Sequence, residues 1–152
     1  MKLTDQYREM HKDEGLYAGS TINLHKESIR QGIEITQSKT ILDYGCGKGT
    51  LAKSLLFAIK EYDPAIPGKD KIPQPADIVI CTDVLEHIEP AYLENVLDDL
   101  RRVTAGVGVF TVDTGPAMKV LPDGRNAHLI QMPAAWWLPK FLDRFELNRF
   151  DR

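Results

Sequence analysis

The sequence lacks the features that mark most secreted and membrane proteins. Only two of its 152 residues are cysteines, and both Cys46 and Cys81 lie in apolar runs, as is typical of buried free thiols. We therefore expect no disulfide framework, and a reducing cytoplasm as the location. Residues 1–15 are polar and contain no apolar segment typical of a signal peptide. No apolar run approaches the roughly 18 residues that a membrane span requires, so no membrane partner is expected.

The sequence also lacks a strong excess of either positive or negative charge. The chain has 19 lysines and arginines against 22 aspartates and glutamates, a formal net charge of −3. No cluster of basic residues is evident, so a large nucleic-acid duplex is not expected as a partner. The cysteines and histidines show no zinc-finger spacing, and no metal is predicted. The composition, with 43% apolar and 27% charged residues, is that of an ordinary globular protein.

Predicted helices and strands alternate along the chain. After a polar lead-in at residues 1–20, helices are predicted over residues 21–36, 50–60, 90–103 and 133–143. Strands are predicted over residues 40–44, 60–63, 77–82, 107–112 and 145–150. This alternation predicts one α/β domain with a mostly parallel sheet of about five strands, flanked by helices. Ligands of such sheets bind beyond the carboxyl ends of the strands.

Glycines and an aspartate follow the first two predicted strands. The first strand runs into DYGCGKG, residues 43–49, in which glycine occupies three alternate positions. Glycine lets a ligand approach the backbone closely, although the spacing matches neither the dinucleotide nor the phosphate-loop fingerprint, and a tight turn is the alternative. Asp63 follows the second strand about 20 residues later, where a carboxylate can accept hydrogen bonds from both ribose hydroxyls of a nucleoside. The alternative for Asp63 is a turn before Pro64.

Three titratable residues, Asp83, Glu86 and His87, follow the buried strand at 77–82. They lie where a parallel sheet places its ligand, which favours a functional role. The alternative is a capped and solvated turn before the helix at 90–103.

The segments ILDYGCGKG, EYDP and ADIVICTDVLEHI resemble, in order and spacing, the motifs of class I S-adenosylmethionine-dependent methyltransferases over residues 39–112. A longer string, from Gly19 and His25 to LPDGRNAHLIQMPAAWW, resembles small methyltransferase-like proteins often encoded by bacteriophages. The resemblance implies a Rossmann-like fold and, for a phage protein, the host cytoplasm. The single domain, 1–152, would then comprise a lead-in and helix (1–38), a cofactor-binding core (39–112) and a substrate side (113–152).

This sequence is shorter than the family pattern in two places. The stretch between Asp63 and the strand at 77 leaves no room for the family's usual third strand and the helix before it. Only one strand is predicted after residues 133–143, where the family normally has two. The fold is therefore predicted to be a trimmed version of the family's. Exposed sheet edges invite pairing, so a homodimer is plausible.

The resemblance implies S-adenosylmethionine as the cofactor. Asp43 would help hold its amino-acid end, and Asp63 would bind its ribose hydroxyls. The other cofactor contacts that the resemblance implies are Gly45, Cys46, Gly47 and Gly49 in the loop, Pro64, Ile66 on the adenine, and Asp83, Val84 and Leu85 beside the transferred methyl.

Methyl transfer is an in-line displacement that mainly requires alignment of the acceptor, and a general base helps when the acceptor is a hydroxyl or a protonated amine. The candidate catalytic residues are His128, His87 and Asp83, although His128 has loop tethering as its alternative. Candidate acceptor contacts are His25, Arg125 and Trp136, whose alternatives are a packed helix face, a solvated charge and the core.

No insertion is long enough to form a separate substrate lid, so we expect a small-molecule acceptor or an exposed chemical group. Two other functions stay open. The protein could be a cofactor-binding partner module without its own transfer activity, or an enzyme that consumes S-adenosylmethionine without methylating anything.

Overall fold

The computed structural model describes residues 2–13, 26, 29–30, 32–34, 36–37, 40–55 and 57–150. In this part of the chain, four strands form one parallel sheet: β1 (Ile41–Tyr44), β2 (Ile59–Tyr62), β3 (Ala76–Thr82) and β4 (Thr104–Thr111). Their order is β2-β1-β3-β4. The chain reverses its winding direction between β1 and β3, so a ligand crevice is expected at the carboxyl ends of these two strands.

Helices cover both faces of the sheet. Helix α1 (Leu3–His11) packs against the loop after β4, α2 (Thr50–Ser54) lies on one face of the sheet, and α3 (Leu93–Val103) and α4 (Ala134–Leu142) lie on the other. Two 3₁₀ turns lie at Leu85–His87 and Pro90–Tyr92. The described residues from 26 to 36 are helical as well. None of the described helices has both the length and the apolar character needed to cross a membrane.

The central strand β3 explains the two-sided packing. Val79 and Cys81 lie in one apolar cluster, which α3 and α4 complete. Ile78 and Ile80 point to the opposite face and lie in a second cluster with Leu51 of α2. Because both faces are buried, β3 reads as a continuous apolar run in the sequence. The predicted α/β class with a Rossmann-like parallel sheet is therefore confirmed.

Three predicted elements need correction. The lead-in contains α1, which buries Gln6 and Met10. The helix predicted over 50–60 ends at Ser54, because Ile59 pairs with Ile41 in the sheet and that pairing prevails over helical periodicity. The strand predicted over 145–150 does not form, since residues 146–150 are exposed and pair with no strand, so the described part of the chain forms a sheet of four strands rather than about five.

The short connection after β2 agrees with the trimmed fold expected from the sequence. Residues 63–75 are all described and contain neither helix nor strand. Backbone hydrogen bonds close this connection into a compact turn, from Asp63 N to Lys69 O at 2.9 Å and from Lys69 N to Ile66 O at 3.0 Å. The described sheet is left with β2 and β4 as its edges. A homodimer across either edge stays a prediction.

A partly buried hydrogen bond joins the sheet to α3 and provides a test of the packing. The Tyr44 hydroxyl donates to Asp99 Oδ2 at 2.9 Å, and Asp99 keeps a second partner in Arg102 at 2.7 Å. We expect Tyr44→Phe to lower the free energy of unfolding by about 1–2 kcal/mol, since the lost bond has a charged acceptor. Urea denaturation measures this change. Tyr92→Phe is the control because Tyr92 is 62% exposed, and an equal loss in both variants would contradict the assignment.

Candidate functional site

A cavity of about 470 Å³ lies at the carboxyl ends of β1 and β3. Helix α1 and the loop after β4 close its other sides. The predicted site residues that line it are Asp43, Gly45, Cys46, Gly47, Asp63, Pro64, Asp83, Val84, His87 and His128. The structure thus brings together residues that follow all four strands, including the loop after β4 that carries the predicted residue His128.

The glycine loop after β1 packs tightly against the loop after β3. Gly45 has a φ of 81°, and a Cβ atom added there would lie 2.4 Å from Cγ2 of Val84. The Gly45 and Cys46 N–H groups both donate to Tyr62 O, at 2.7 and 3.0 Å. Only glycine combines this backbone conformation with so close an approach. The loop therefore presents bare backbone at the cavity wall.

Asp63 connects the glycine loop with the turn after β2. Its Oδ2 accepts a hydrogen bond from Gly47 N at 2.9 Å, and its Oδ1 accepts one from Ala65 N at 2.8 Å. The residue is 8% exposed and lines the cavity. Each carboxylate oxygen can accept two bonds, so the fixed carboxylate retains capacity for two hydroxyl donors.

Asp43 is a buried carboxyl at the end of β1. It is 3% exposed, and its Oδ2 has no hydrogen-bond partner. Burial raises the pKa of Asp43 to about 7, and the neighbouring Glu61 and Asp63 carboxylates act in the same direction, while Lys69 opposes them. A buried carboxylate without a partner is costly. This end of the cavity therefore favours a cationic or hydrogen-bond-donating group.

Asp83 occupies a strained backbone position at the cavity wall. Its φ is 54°, in the left-handed region that residues other than glycine rarely adopt. Bonds to β4 maintain it there: Asp83 N donates to Thr111 O at 3.1 Å, and the Thr111 hydroxyl donates to Asp83 Oδ1 at 2.9 Å. Strain maintained by surrounding contacts is common at ligand sites.

Two histidine rings meet at the other side of the cavity. His87 Nδ1 lies 2.8 Å from Ala127 O, and His128 Nδ1 lies 2.7 Å from Gly115 O. The ring centroids are 4.8 Å apart. Burial lowers the pKa of His87 to about 4, so its ring is neutral near pH 7. Since only a protonated Nδ1 can donate to a carbonyl, we place an N–H on Nδ1 of both rings, and the lone pair of the neutral His87 ring then lies on Nε2.

Glu86 lies between the histidines and the interior. Its Oε1 accepts a hydrogen bond from Asp113 N at 3.0 Å, whereas Oε2 has no hydrogen-bond partner. The side chain is completely buried, and this burial raises its pKa to about 8. The sequence identified Glu86 as one of a titratable group but assigned it no role.

Helix α1 supplies cavity residues that the sequence analysis missed. The Tyr7 hydroxyl donates to Ala127 O at 2.9 Å and lies 3.1 Å from His87 Nδ1. His11 also lines the cavity, and burial lowers its pKa. The signal was present in the sequence: Leu3, Tyr7 and Met10 have helical apolar spacing.

Three of the predicted cofactor contacts lie outside this cavity. Leu85 is fully buried in the core cluster on the α3 side of the sheet. Gly49 lies against the ion pair of Glu61 and Lys69, and a Cβ atom added at Gly49 would lie 2.1 Å from Glu61 Oε1. Ile66 lines an adjoining open depression that shares His11, Gly47 and Lys48 with the main cavity.

The two predicted acceptor contacts that the structure describes, Arg125 and Trp136, do not line the cavity. Arg125 forms ion pairs with Glu89 at 2.8 Å and with Asp123 at 2.9 Å. Trp136 packs against the core cluster of α3 and α4, with Lys140 Nζ 4.6 Å from its ring centroid. His25 lies outside the described residues.

Comparisons with known proteins agree with this arrangement. The sequence profile of a family described as "Methyltransferase domain" matches residues 23–149. No curated protein matches the chain. A structure described as a DhpI–SAH complex is similar with a TM-score of 0.54 and 16% identity, over 90% of this chain and 84% of that one. A structure of PigF with SAH is similar with a TM-score of 0.59 and 14% identity, over 95% of this chain but only 57% of that longer chain. At these identities the likeness shows a shared fold.

Proposed function

The chain belongs to the methyltransferase domain family, and from this premise we propose that it transfers the methyl group of S-adenosylmethionine to a small-molecule acceptor. The observation that carries the proposal is the cavity at the carboxyl ends of β1 and β3, where Asp63 is fixed and Asp43 is buried with a free oxygen. Both similar structures contain SAH (S-adenosylhomocysteine), which remains after the cofactor has lost its methyl group.

The residues on the β1 and β2 side of the cavity fit this cofactor. S-adenosylmethionine, when bound, supplies an activated methyl group on a positively charged sulfur. Asp43 would pair with the cationic amino-acid part, because its Oδ2 is buried and lacks a partner. Asp63 would accept bonds from the ribose hydroxyls with the lone pairs that Gly47 and Ala65 leave unused. Ile66, in the adjoining depression, would pack on the adenine.

The acceptor would occupy the part of the cavity that faces α1 and the loop after β4. Tyr7, His87 and His128 lie there, among the residues that line the cavity. The support for a small acceptor is the cavity volume of about 470 Å³, which the acceptor would share with the cofactor. A nucleic acid duplex would not fit in this volume. Cytoplasmic location and the resemblance to bacteriophage proteins stay predictions.

Cofactor binding should depend on the ionisation of Asp43. Because the pKa of this carboxyl is about 7, it must lose its proton before it can pair with a cationic ligand. We expect affinity for S-adenosylhomocysteine to rise by up to about tenfold per pH unit from about pH 5.5 and to level off above pH 7. The ligand's amino group stays protonated throughout this range, because a free amino acid's ammonium group titrates above the roughly pH 7.7 of a peptide α-amino group.

Isothermal titration across that pH range provides the measurement, with Asp43→Asn as the control. The asparagine variant cannot ionise, so its affinity should change little with pH. An equally steep pH dependence in both proteins would show that another group controls binding.

Product analysis tests the proposed reaction. The purified protein is incubated with S-adenosylmethionine and fractions of host-cell metabolites, and the products are separated by mass spectrometry. Formation of S-adenosylhomocysteine together with a methylated metabolite supports transfer. Methylthioadenosine or homoserine would instead identify an enzyme that cleaves the cofactor. Binding without turnover would favour a partner module, which the short sheet also permits.

A further inference from the structure

Three potential metal ligands converge at the acceptor side of the cavity. Glu86, His87 and His128 each offer one donor atom, and these atoms all lie within 4.8 Å of one another. Glu86 and His87 belong to the turn after β3, whereas His128 belongs to the loop after β4. All three line the cavity, so a group bound between them would be accessible to a ligand.

The histidines are oriented as metal-ligating histidines usually are. The Nδ1 atoms of His87 and His128 each point to a backbone carbonyl, Ala127 O and Gly115 O. A histidine that binds a metal almost always donates its other ring N–H to a carbonyl or carboxylate in this manner. The same contacts place an N–H on Nδ1 of each ring, so Nε2 is the atom with which each ring would bind a metal.

Glu86 provides an independent observation. It is fully buried, yet its Oε2 has no hydrogen-bond partner. The other oxygen is held by Asp113 N at 3.0 Å, which fixes the orientation of the carboxyl group. An orphaned buried carboxylate oxygen costs free energy unless a cation or a donor satisfies it. A cation bound by the two imidazoles would be such a partner.

We propose that Glu86, His87 and His128 bind one divalent transition-metal ion, of the Mn²⁺, Co²⁺ or Zn²⁺ class. Two imidazoles and one carboxylate suit these ions, whereas Mg²⁺ and Ca²⁺ prefer all-oxygen sites. Ligands about 2.1 Å from an ion lie roughly 3–4 Å apart, so the three donor atoms need to approach by only about 1 Å. The sequence predicted no metal because the ligands share no contiguous motif.

A metal here would explain how the acceptor is activated, a step that rests on the proposed function. Three protein ligands leave coordination positions open to the cavity, where an acceptor hydroxyl could bind and release its proton to water. Its oxygen lone pair would then form the bond to the methyl carbon. The carbon–sulfur bond breaks at the same time, and its electron pair stays on the sulfur of S-adenosylhomocysteine.

Metal titration tests the site without any assay of activity. Protein without a histidine tag is stripped with EDTA, desalted and titrated with Co²⁺, followed by calorimetry and by visible absorption. We expect one ion per chain, and an affinity lowered by about 10–100-fold or more in Glu86→Gln and His128→Gln. His11→Gln is the matched control, because it removes another cavity imidazole but none of the three ligands. Circular dichroism verifies that each variant is folded. If Glu86→Gln or His128→Gln is not folded, His87→Gln is measured in its place.

The outcomes separate this proposal from the proposed function. Absence of stoichiometric Co²⁺ binding by the folded wild-type protein overturns the metal site, and so does equal weakening by His11→Gln. Binding of S-adenosylhomocysteine is measured on the same samples. If the protein binds S-adenosylhomocysteine but not Co²⁺, only the metal site is contradicted. If it binds Co²⁺ but not S-adenosylhomocysteine, the proposed cofactor is contradicted.

Discussion

Asp63→Ala is expected to weaken binding of S-adenosylhomocysteine by about a hundredfold or more. Two hydrogen bonds from ribose hydroxyls to a carboxylate contribute about 1.5–3 kcal/mol each, and the substitution removes both. The variant also releases Gly47 N and Ala65 N, which Asp63 now holds at 2.9 and 2.8 Å. The glycine loop would then be joined to the turn after β2 only by weaker contacts such as that of Lys69 Nζ with Gly47 O at 3.4 Å, which adds to the loss of affinity.

Asp70→Ala is the matched control for this experiment. Asp70 lies in the same turn and accepts a bond from Gly68 N at 3.2 Å, but it is exposed and does not line the cavity. Isothermal titration should give wild-type affinity for this variant. Unchanged affinity in Asp63→Ala would show that the ribose does not bind at Asp63. Thermal unfolding of both variants separates lost contacts from lost folding.

Gly45→Ala is expected to destabilise the protein by about 2–5 kcal/mol. The left-handed backbone conformation costs a non-glycine residue about 1–2 kcal/mol. The added methyl would lie 2.4 and 2.8 Å from the two γ-carbons of Val84, closer than atoms in contact can approach. Valine is stiff at χ1 and cannot easily move aside, so overpacking adds about 1–3 kcal/mol.

Gly68→Ala isolates the backbone contribution. Gly68 has a similar φ of 88°, but an added Cβ there meets nothing within 4 Å. Urea denaturation should therefore show a loss of only about 1–2 kcal/mol. If both variants lose equal stability, contact with Val84 is not the cause. The double variant Gly45→Ala/Val84→Ala should lose less stability than the sum of its single changes, because Val84→Ala removes the γ-carbons with which the added methyl would clash.

Each end of the cavity contains a buried carboxyl group with an unpaired oxygen. Asp43 and Glu86 are buried, and each has one oxygen without a hydrogen-bond partner. Apolar residues would fill the same space without the cost of burying an unpaired carboxyl oxygen, so packing alone does not account for these two groups. Their positions are consistent with two cations, one on the cofactor beside Asp43 and one between Glu86 and the histidines. Ligand binding would then stabilise a site that is costly when empty.

Local patterns in the sequence were enough to predict the fold class and one side of the site. The stripe of Leu93, Leu97 and Leu100 predicted the helix that covers one face of the sheet, since a helix buries residues at this spacing. The glycine loop and Asp63 each directly follow a strand. Parallel neighbouring strands end at the same edge of a sheet, so their proximity could be expected without a structure.

The remaining features depend on contacts between distant segments. Pairing with β1 ends α2 early and starts β2 at Ile59, although local periodicity favoured a longer helix. Packing places α1 over the cavity and commits Arg125 to Glu89 and Asp123 rather than to a ligand. The sequence by itself determined which residues follow the strands. Only the tertiary structure brought His128 to Glu86 and His87, because no local pattern encodes the distance between two loops.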